Sequence, residues 1–224
     1  MDAVMIGHSF IRRLRDETFP PRVAHRRIPR GQDIHHVQQN KARAFASKLR
    51  LDDNIRAIYT ASNGINLIKD LHKSESLIFQ IRPDMILIDI GSNDLANLTD
   101  QDHNSALNFA HQVLEFAESL PAHLIIINAI LPRSESITCS PETFRYNASH
   151  YNRIVSTFCA TSPHIKFNKM WGFNFHYDND TEQTRPVSLW SLDGIHCDTQ
   201  IGRKQYRSRI RHALLDNMYI VNRR

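Results

Sequence analysis

The chain has 224 residues, 41% of them hydrophobic, which suits one α/β domain with a full core and requires no second one. Its 28 Lys and Arg against 23 Asp and Glu leave a formal net charge of +5. No apolar run approaches the roughly 18 residues that span a bilayer, which excludes a membrane-crossing helix, and the seven glycines form no phosphate-cradling loop.

In chain order, the first apolar run covers residues 3–6 and leads into Gly7-His8-Ser9-Phe10. Residues 34–49 then place Val37, Ala44, Phe45 and Leu49 on one side of a predicted helix. A second run, 55–60, precedes Ser62-Asn63-Gly64-Ile65, and a third, 85–90, precedes Gly91-Ser92-Asn93-Asp94. A second helix is predicted over 105–120, with Leu107, Ala110, Val113, Leu114 and Ala117 on one face. The fourth run, 124–129, is followed by Leu131-Pro132-Arg133, and 164–167 is the best candidate for a fifth. A final helix, about 202–219, follows Asp193-Gly194-Ile195-His196.

Short continuous apolar runs read as strands buried on both faces. Alternating with helices, they indicate a three-layer, doubly wound (flavodoxin-like) parallel sheet of about five strands with right-handed crossovers. Residues 138–151 and 174–192 show no clear periodicity and read as loops near the functional edge. Phe144, Tyr146, Trp171 and Trp190 are candidates for substrate contact there or for packing beneath the loops.

Ligands of open α/β sheets bind beyond the carboxyl ends of the strands. Ser9, Gly64 and Asn93 each follow a predicted strand by a few residues, so all three fall on that edge. A serine hydroxyl becomes a nucleophile when an imidazole takes its proton, and the imidazole needs a carboxylate to fix its tautomer. Ser9, His196 and Asp193 supply those groups. The oxyanion formed on attack needs waiting donors, and the backbone N–H groups of Ser9 and Gly64 with the side-chain amide of Asn93 are the candidates. Singly, each has a plain reading: Ser9 as a helix cap, Gly64 as a turn glycine, Asn93 as a cap or turn former, His196 as a surface histidine.

Gly7-His8-Ser9-Phe10, Gly64, Gly91-Ser92-Asn93-Asp94 and Asp193-Gly194-Ile195-His196 together resemble the four signature blocks of the SGNH (GDSL-type) hydrolases, almost from end to end. The resemblance implies the SGNH fold and a serine esterase that cleaves small-acyl esters. Its catalytic residues would be Ser9, Asp193 and His196, its oxyanion hole Ser9, Gly64 and Asn93, with no metal and no cofactor. Leu131-Pro132-Arg133 is similar to a segment of the platelet-activating-factor acetylhydrolase branch. The opening that runs on into Ile11-Arg12-Arg13-Leu14 resembles SGNH domains of invertebrate genomes, some within mobile-element reading frames. Where the family usually reads Gly-Asp-Ser, this chain has Gly7-His8-Ser9. Either His8 makes the contact that supports the nucleophile turn, or the chain is a catalytically silent scaffold that binds nucleic acid or another ligand.

Arginines crowd both ends of the chain, from Arg12, Arg13 and Arg15 to Arg30, and from Arg203, Lys204, Arg207, Arg209 and Arg211 to Arg223 and Arg224. They predict weak attraction to nucleic acid or an anionic surface, or else a solvated basic face, beside the small-molecule ester substrate. Cys139, Cys159 and Cys197 lack metal-type spacing and read as unpaired thiols of a reducing compartment. His35-His36 and His176 form no chelating pattern. Met1-Asp2 leads directly into a strand, from which a cytoplasmic or nuclear location is expected.

Overall fold

The computed structural model describes residues 1–7, 11, 49–51, 56–61, 75, 78–133, 138–171, 173, 197 and 199–222. Five strands lie in it: β1 (Asp2–Gly7), β2 (Arg56–Ala61), β3 (Met85–Asp89), β4 (Leu124–Asn128) and β5 (Ile165–Asn168). Among the described residues the helices with both ends in view are α1 (Ser92–Ala96), α2 (His103–Ser119), α3 (Pro141–Thr161) and α4 (Gln200–Asn222), and residues 11, 75 and 78–81 are helical as well. The strands form one sheet in the order β2-β1-β3-β4-β5, every pair parallel. This is the flavodoxin-like order, with its switch point at β1, and each predicted strand is found within two residues of its expected ends.

The alternation of side chains along each strand builds two cores. Ala3 and Met5 of β1, Leu87 of β3 and Ile126 of β4 face one side, where Tyr206, Ile210 and Leu214 of α4 cover them. Val4, Ile6, Ile86, Ile88 and Ile127 face the other, under Val113 and Leu114 of α2 and Phe144, Tyr151 and Val155 of α3. Both faces are therefore closed, which is why the strands read as unbroken apolar runs. Each large aliphatic chain so buried contributes about 1.5–3 kcal/mol.

Local signals set the helix ends. Asp102 caps α2 by accepting from the N–H groups of Asn104 (2.9 Å) and Ser105 (3.1 Å). Ser140 caps α3 by accepting from Thr143 N (3.0 Å), with Pro141 in the first turn. The helix α3 corrects the expectation of a loop over 138–151. Its buried stripe, Phe144, Ala148, Tyr151, Val155 and Cys159, has helical spacing, but polar residues dominate the first three turns and mask it. Asn147, inside that stripe, is fully buried because its Nδ2 donates to the Asp100 carbonyl (3.0 Å). The helix expected over 34–49 lies outside the described residues except for Leu49, which sits in a turn.

None of the three cysteines forms a disulfide. Cys159 and Cys197 are buried and Cys139 is half-buried. Burial pushes the Cys159 thiol up to about 11, as for a small apolar filler.

Gly7 ends β1 close against Ile11 and the end of β3. A Cβ there would lie 2.2 Å from Ile11 Cγ1 and 3.2 Å from the Asp89 carbonyl oxygen. Gly7→Ala is therefore expected to cost about 2 kcal/mol or more and to lower the melting temperature by about 5 °C or more. Thermal unfolding followed by circular dichroism checks this, and an unchanged midpoint would contradict so close an approach of Ile11.

Candidate active site

The carboxyl ends of β3, β4 and β5 carry polar residues, and in β3 and β4 the rest of the strand is apolar. Asp89 closes β3, Asn128 closes β4 and Asn168 closes β5. Asn128 and Asn168 are register partners, and Asn168 Nδ2 donates to Asn128 Oδ1 (2.8 Å). Asp89 is 7% exposed and accepts a hydrogen bond from the Tyr206 hydroxyl of α4. Burial pushes the Asp89 carboxyl up to about 6, against the lowering effects of Tyr206 and Asn128. Asn128 Nδ2 meets no acceptor in good geometry, so Tyr206 is the donor assigned to Asp89. Tyr206 is held well above its ordinary range, first by burial and then by the neighbouring carboxylate.

The chain leaves β3 through Gly91, whose backbone is left-handed (φ 99°) and starts α1. A Cβ at Gly91 would also lie 2.7 Å from Phe109 Cε1 and 3.0 Å from Ile130 Cδ1. That turn sets Asn93 in the first turn of α1, beyond the end of β3. Arg133, from the segment after β4, donates from Nη2 to Asn93 Oδ1 (2.8 Å). Arg133 is 6% exposed, and its guanidinium lies over the Phe144 ring, 5.1 Å from the centroid. Oδ1 is thus engaged as an acceptor, and the side-chain N–H groups of Asn93 meet no acceptor among the described residues. Thr138 Oγ1 donates to the Ala96 carbonyl and fixes the other end of α1.

Past the ends of β4 and β5 and against α3 lies a groove of about 450 Å³, lined by Ile130, Leu131 and Phe167, by Arg145 and Arg153 of α3, and by Lys169 and Trp171. Its wall is rigid because Asn152 of α3 bonds both backbone groups of Ile130, accepting from the N–H (2.8 Å) and donating to the carbonyl (3.0 Å). Trp171 is 56% exposed, and Lys169 Nζ lies 5.5 Å from its ring centroid.

Of the sequence-predicted site residues, Asn93 is the one within the described residues; Ser9, Gly64, Asp193 and His196 lie outside them, as does Trp190. Among the aromatic candidates Phe144 is fully buried and supports Arg133, which removes it as a substrate contact. Tyr146 packs on His150 of its own helix, with ring centroids 4.4 Å apart, and Trp171 stands at the groove. Asp89, Arg133 and Tyr206 received no role from the sequence. The visible signal was a carboxylate interrupting the third apolar run and an arginine directly after the fourth. Among the described residues no group of three or more His, Cys, Asp or Glu is placed to hold a metal ion.

A sequence profile of the GDSL-like lipases and acylhydrolases matches residues 4–204. The chain belongs to this family. A GDSL-like lipase of Bacteroides thetaiotaomicron VPI-5482 is similar to it with a TM-score of 0.62 at 17% identity, over 96% of this chain and 88% of that one. A catalytic mutant of an acetylxylan esterase from Geobacillus stearothermophilus gives a TM-score of 0.58 at 16% identity, covering 95% and 93%. A lipase/acylhydrolase from Enterococcus faecalis gives 0.56 at 12% identity, covering 97% of each chain. No curated protein matches the sequence. At these identities the structural neighbours establish the shared fold, and the SGNH resemblance and the parallel five-stranded sheet are both borne out.

In this GDSL-like chain the buried Asp89 makes stability depend on pH. Its folded value, about 6, lies above the ordinary 3.8, so the folded state holds the proton more tightly. Its contribution is fully present below about pH 4 and is lost as pH rises through about 6, a loss of about 3 kcal/mol. Asp89→Asn keeps an acceptor for Tyr206 and removes the titration. Denaturant unfolding should show the variant gaining on the wild type by up to that amount between pH 4 and pH 7. A difference that stays constant with pH would mean that Asp89 titrates as an exposed carboxylate.

Proposed function

We propose that the chain is a serine esterase that cleaves small-acyl esters, with Ser9 as nucleophile, His196 as general base and Asp193 as the carboxylate that orients it. The oxyanion is met by the backbone N–H groups of Ser9 and Gly64 and by the side-chain N–H of Asn93. The Arg133–Asn93 hydrogen bond carries this reading. It occupies the carbonyl of the amide and leaves donors at the carboxyl edge of the sheet, the polarity that a developing oxyanion requires.

The register of the sheet supports the same reading. Gly7 pairs with Ala61 on one side and Asp89 on the other, so β1, β2 and β3 end at one level. Ser9 lies two residues beyond Gly7, Gly64 three beyond Ala61 and Asn93 four beyond Asp89, while His196 lies four before α4. Membership of an acylhydrolase family favours ester cleavage. The groove between β4, β5 and α3 has the size and apolar floor to take the acyl or alcohol portion, with Trp171 as a wall.

Mechanistically, His196 takes the Ser9 proton as Oγ attacks the ester carbonyl, and Asp193 stabilises the imidazolium. The carbonyl oxygen gains its negative charge against the three donors. The imidazolium then gives its proton to the departing alcohol, and water repeats the sequence on the acyl-enzyme.

Ser9→Ala should lower p-nitrophenyl acetate hydrolysis at least about 1,000-fold and abolish fluorophosphonate labelling while the melting temperature holds. Wild-type protein that neither hydrolyses the ester nor takes the label would contradict the proposal. Arg133→Met keeps the volume of the side chain and frees the Asn93 amide to rotate. It should lower kcat about tenfold or more with KM changed by less than about threefold, the pattern of a donor that acts in the transition state. A rise in KM at constant kcat would assign Arg133 to ground-state binding instead.

A further inference from the structure

On the sheet face opposite α2 and α3, helix α4 and the turn at Leu49–Arg50 enclose a second trough, of about 730 Å³. Five cations line it: Arg50, Arg203, Lys204, Arg207 and Arg211. The four on α4 recur at the three- and four-residue steps that share one helical face. With Gln200 they span twelve residues, about 16 Å of helix. Arg50 approaches from the other wall, held where Arg211 Nε donates to the Arg50 carbonyl (3.0 Å). No carboxylate lines the trough among the described residues, and Gln200 and Ser208 add neutral polar groups. Arg209, two positions from Arg207 and Arg211, falls on another face of the helix and does not line it.

We infer that this trough binds the phosphate backbone of a nucleic-acid strand, independently of the ester site. Repeated cations along one line call for a ligand with repeated anions at similar closeness, and a sugar–phosphate chain supplies them. Four of the five cations are arginines, whose planar fork suits phosphate oxygens. Among the described residues no aromatic side chain lines the trough for base stacking, so the binding is to backbone and independent of sequence. A membrane fits less well, because an interfacial surface sets apolar side chains beside its cations. The one apolar residue of the trough, Leu49, is 1% exposed and belongs to the core. The exposed Ile201 of α4 stands about a quarter-turn to the side.

The test is fluorescence anisotropy of a labelled single-stranded oligothymidylate 20-mer against the full chain from 25 to 200 mM salt. Each cation that meets a phosphate should add about −0.7 to the slope of log K against log salt, to a limit of about −3.5 for the five. Arg203→Gln/Lys204→Gln, both exposed in the wild type, should weaken binding about tenfold at low salt and reduce the slope by about 1.4. Arg153→Gln/Lys169→Gln removes the same charge at exposed positions away from the trough and should leave the slope unchanged. Ser9→Ala should bind as the wild type does. Absence of binding at 25 mM salt, or equal weakening by the two double variants, overturns the assignment. So does a trough-dependent preference for vesicles of phosphatidylserine and phosphatidylcholine over the oligonucleotide, which would make the partner a membrane. Unchanged circular dichroism melts exclude misfolding as the cause of lost binding.

Discussion

The hydrogen bond between Tyr206 and the buried carboxylate of Asp89 ties together the parts of the molecule that the site depends on. Asp89 ends β3, and Asn93 follows it by one tight turn. Tyr206 lies in the second turn of α4, ten residues after His196. A single buried contact thus fixes the strand that carries one signature block to the helix that follows another. Its cost is the desolvation of a carboxylate, seen in the raised Asp89 value, and the Tyr206 donor offsets part of that cost. A polar group at this depth is unfavourable for stability and fixes one docking of α4 on the sheet.

Around that tie the polar residues at the strand ends act as a frame. Asn128 and Asn168 join β4 to β5, Asn152 pins the backbone at Ile130, and Arg133 spans from the segment after β4 to Asn93. Phe144 beneath the guanidinium and Ile130 against Gly91 connect this frame to the apolar core of α2 and α3. The orientation of the Asn93 amide is therefore determined by packing on one face of the sheet, while Tyr206 anchors α4 on the other. Preorganisation of this kind is what makes a donor effective in a low-dielectric site.

The centre of the sheet was legible because β1, β3 and β4 are buried on both faces and appear as short runs of Ile, Leu, Val and Met, whereas the edge strand β5, with Lys166 and only Ile165 buried, gives a weaker signal. The position of Asn93, just past the end of a strand, was legible from the apolar run before it and the Gly91 turn. The helix α3 was not, since Asn147 and the polar residues beside Phe144 blur the periodicity that tertiary packing then uses. Arg133, Asp89 and Tyr206 stayed hidden for a related reason. A buried polar side chain is identified by its partner, and their partners lie 40 and 117 residues away in the chain. Phe144 shows the converse, an aromatic in an apparent loop that proves to be core. The basic residues near the carboxyl terminus were legible as a cluster, but helical geometry decides that Arg207 and Arg211 share a trough from which Arg209 is excluded.

The most direct test of an oriented Asn93 beside a nucleophilic Ser9 is a crystal structure of the protein after reaction with a small fluorophosphonate. The account predicts phosphorus bonded to Ser9 Oγ and a phosphonyl oxygen about 2.7–3.1 Å from Asn93 Nδ2, with Arg133 still donating to Asn93 Oδ1. An adduct on another residue, or an Asn93 amide turned so that its oxygen faces the phosphonyl group, would contradict it.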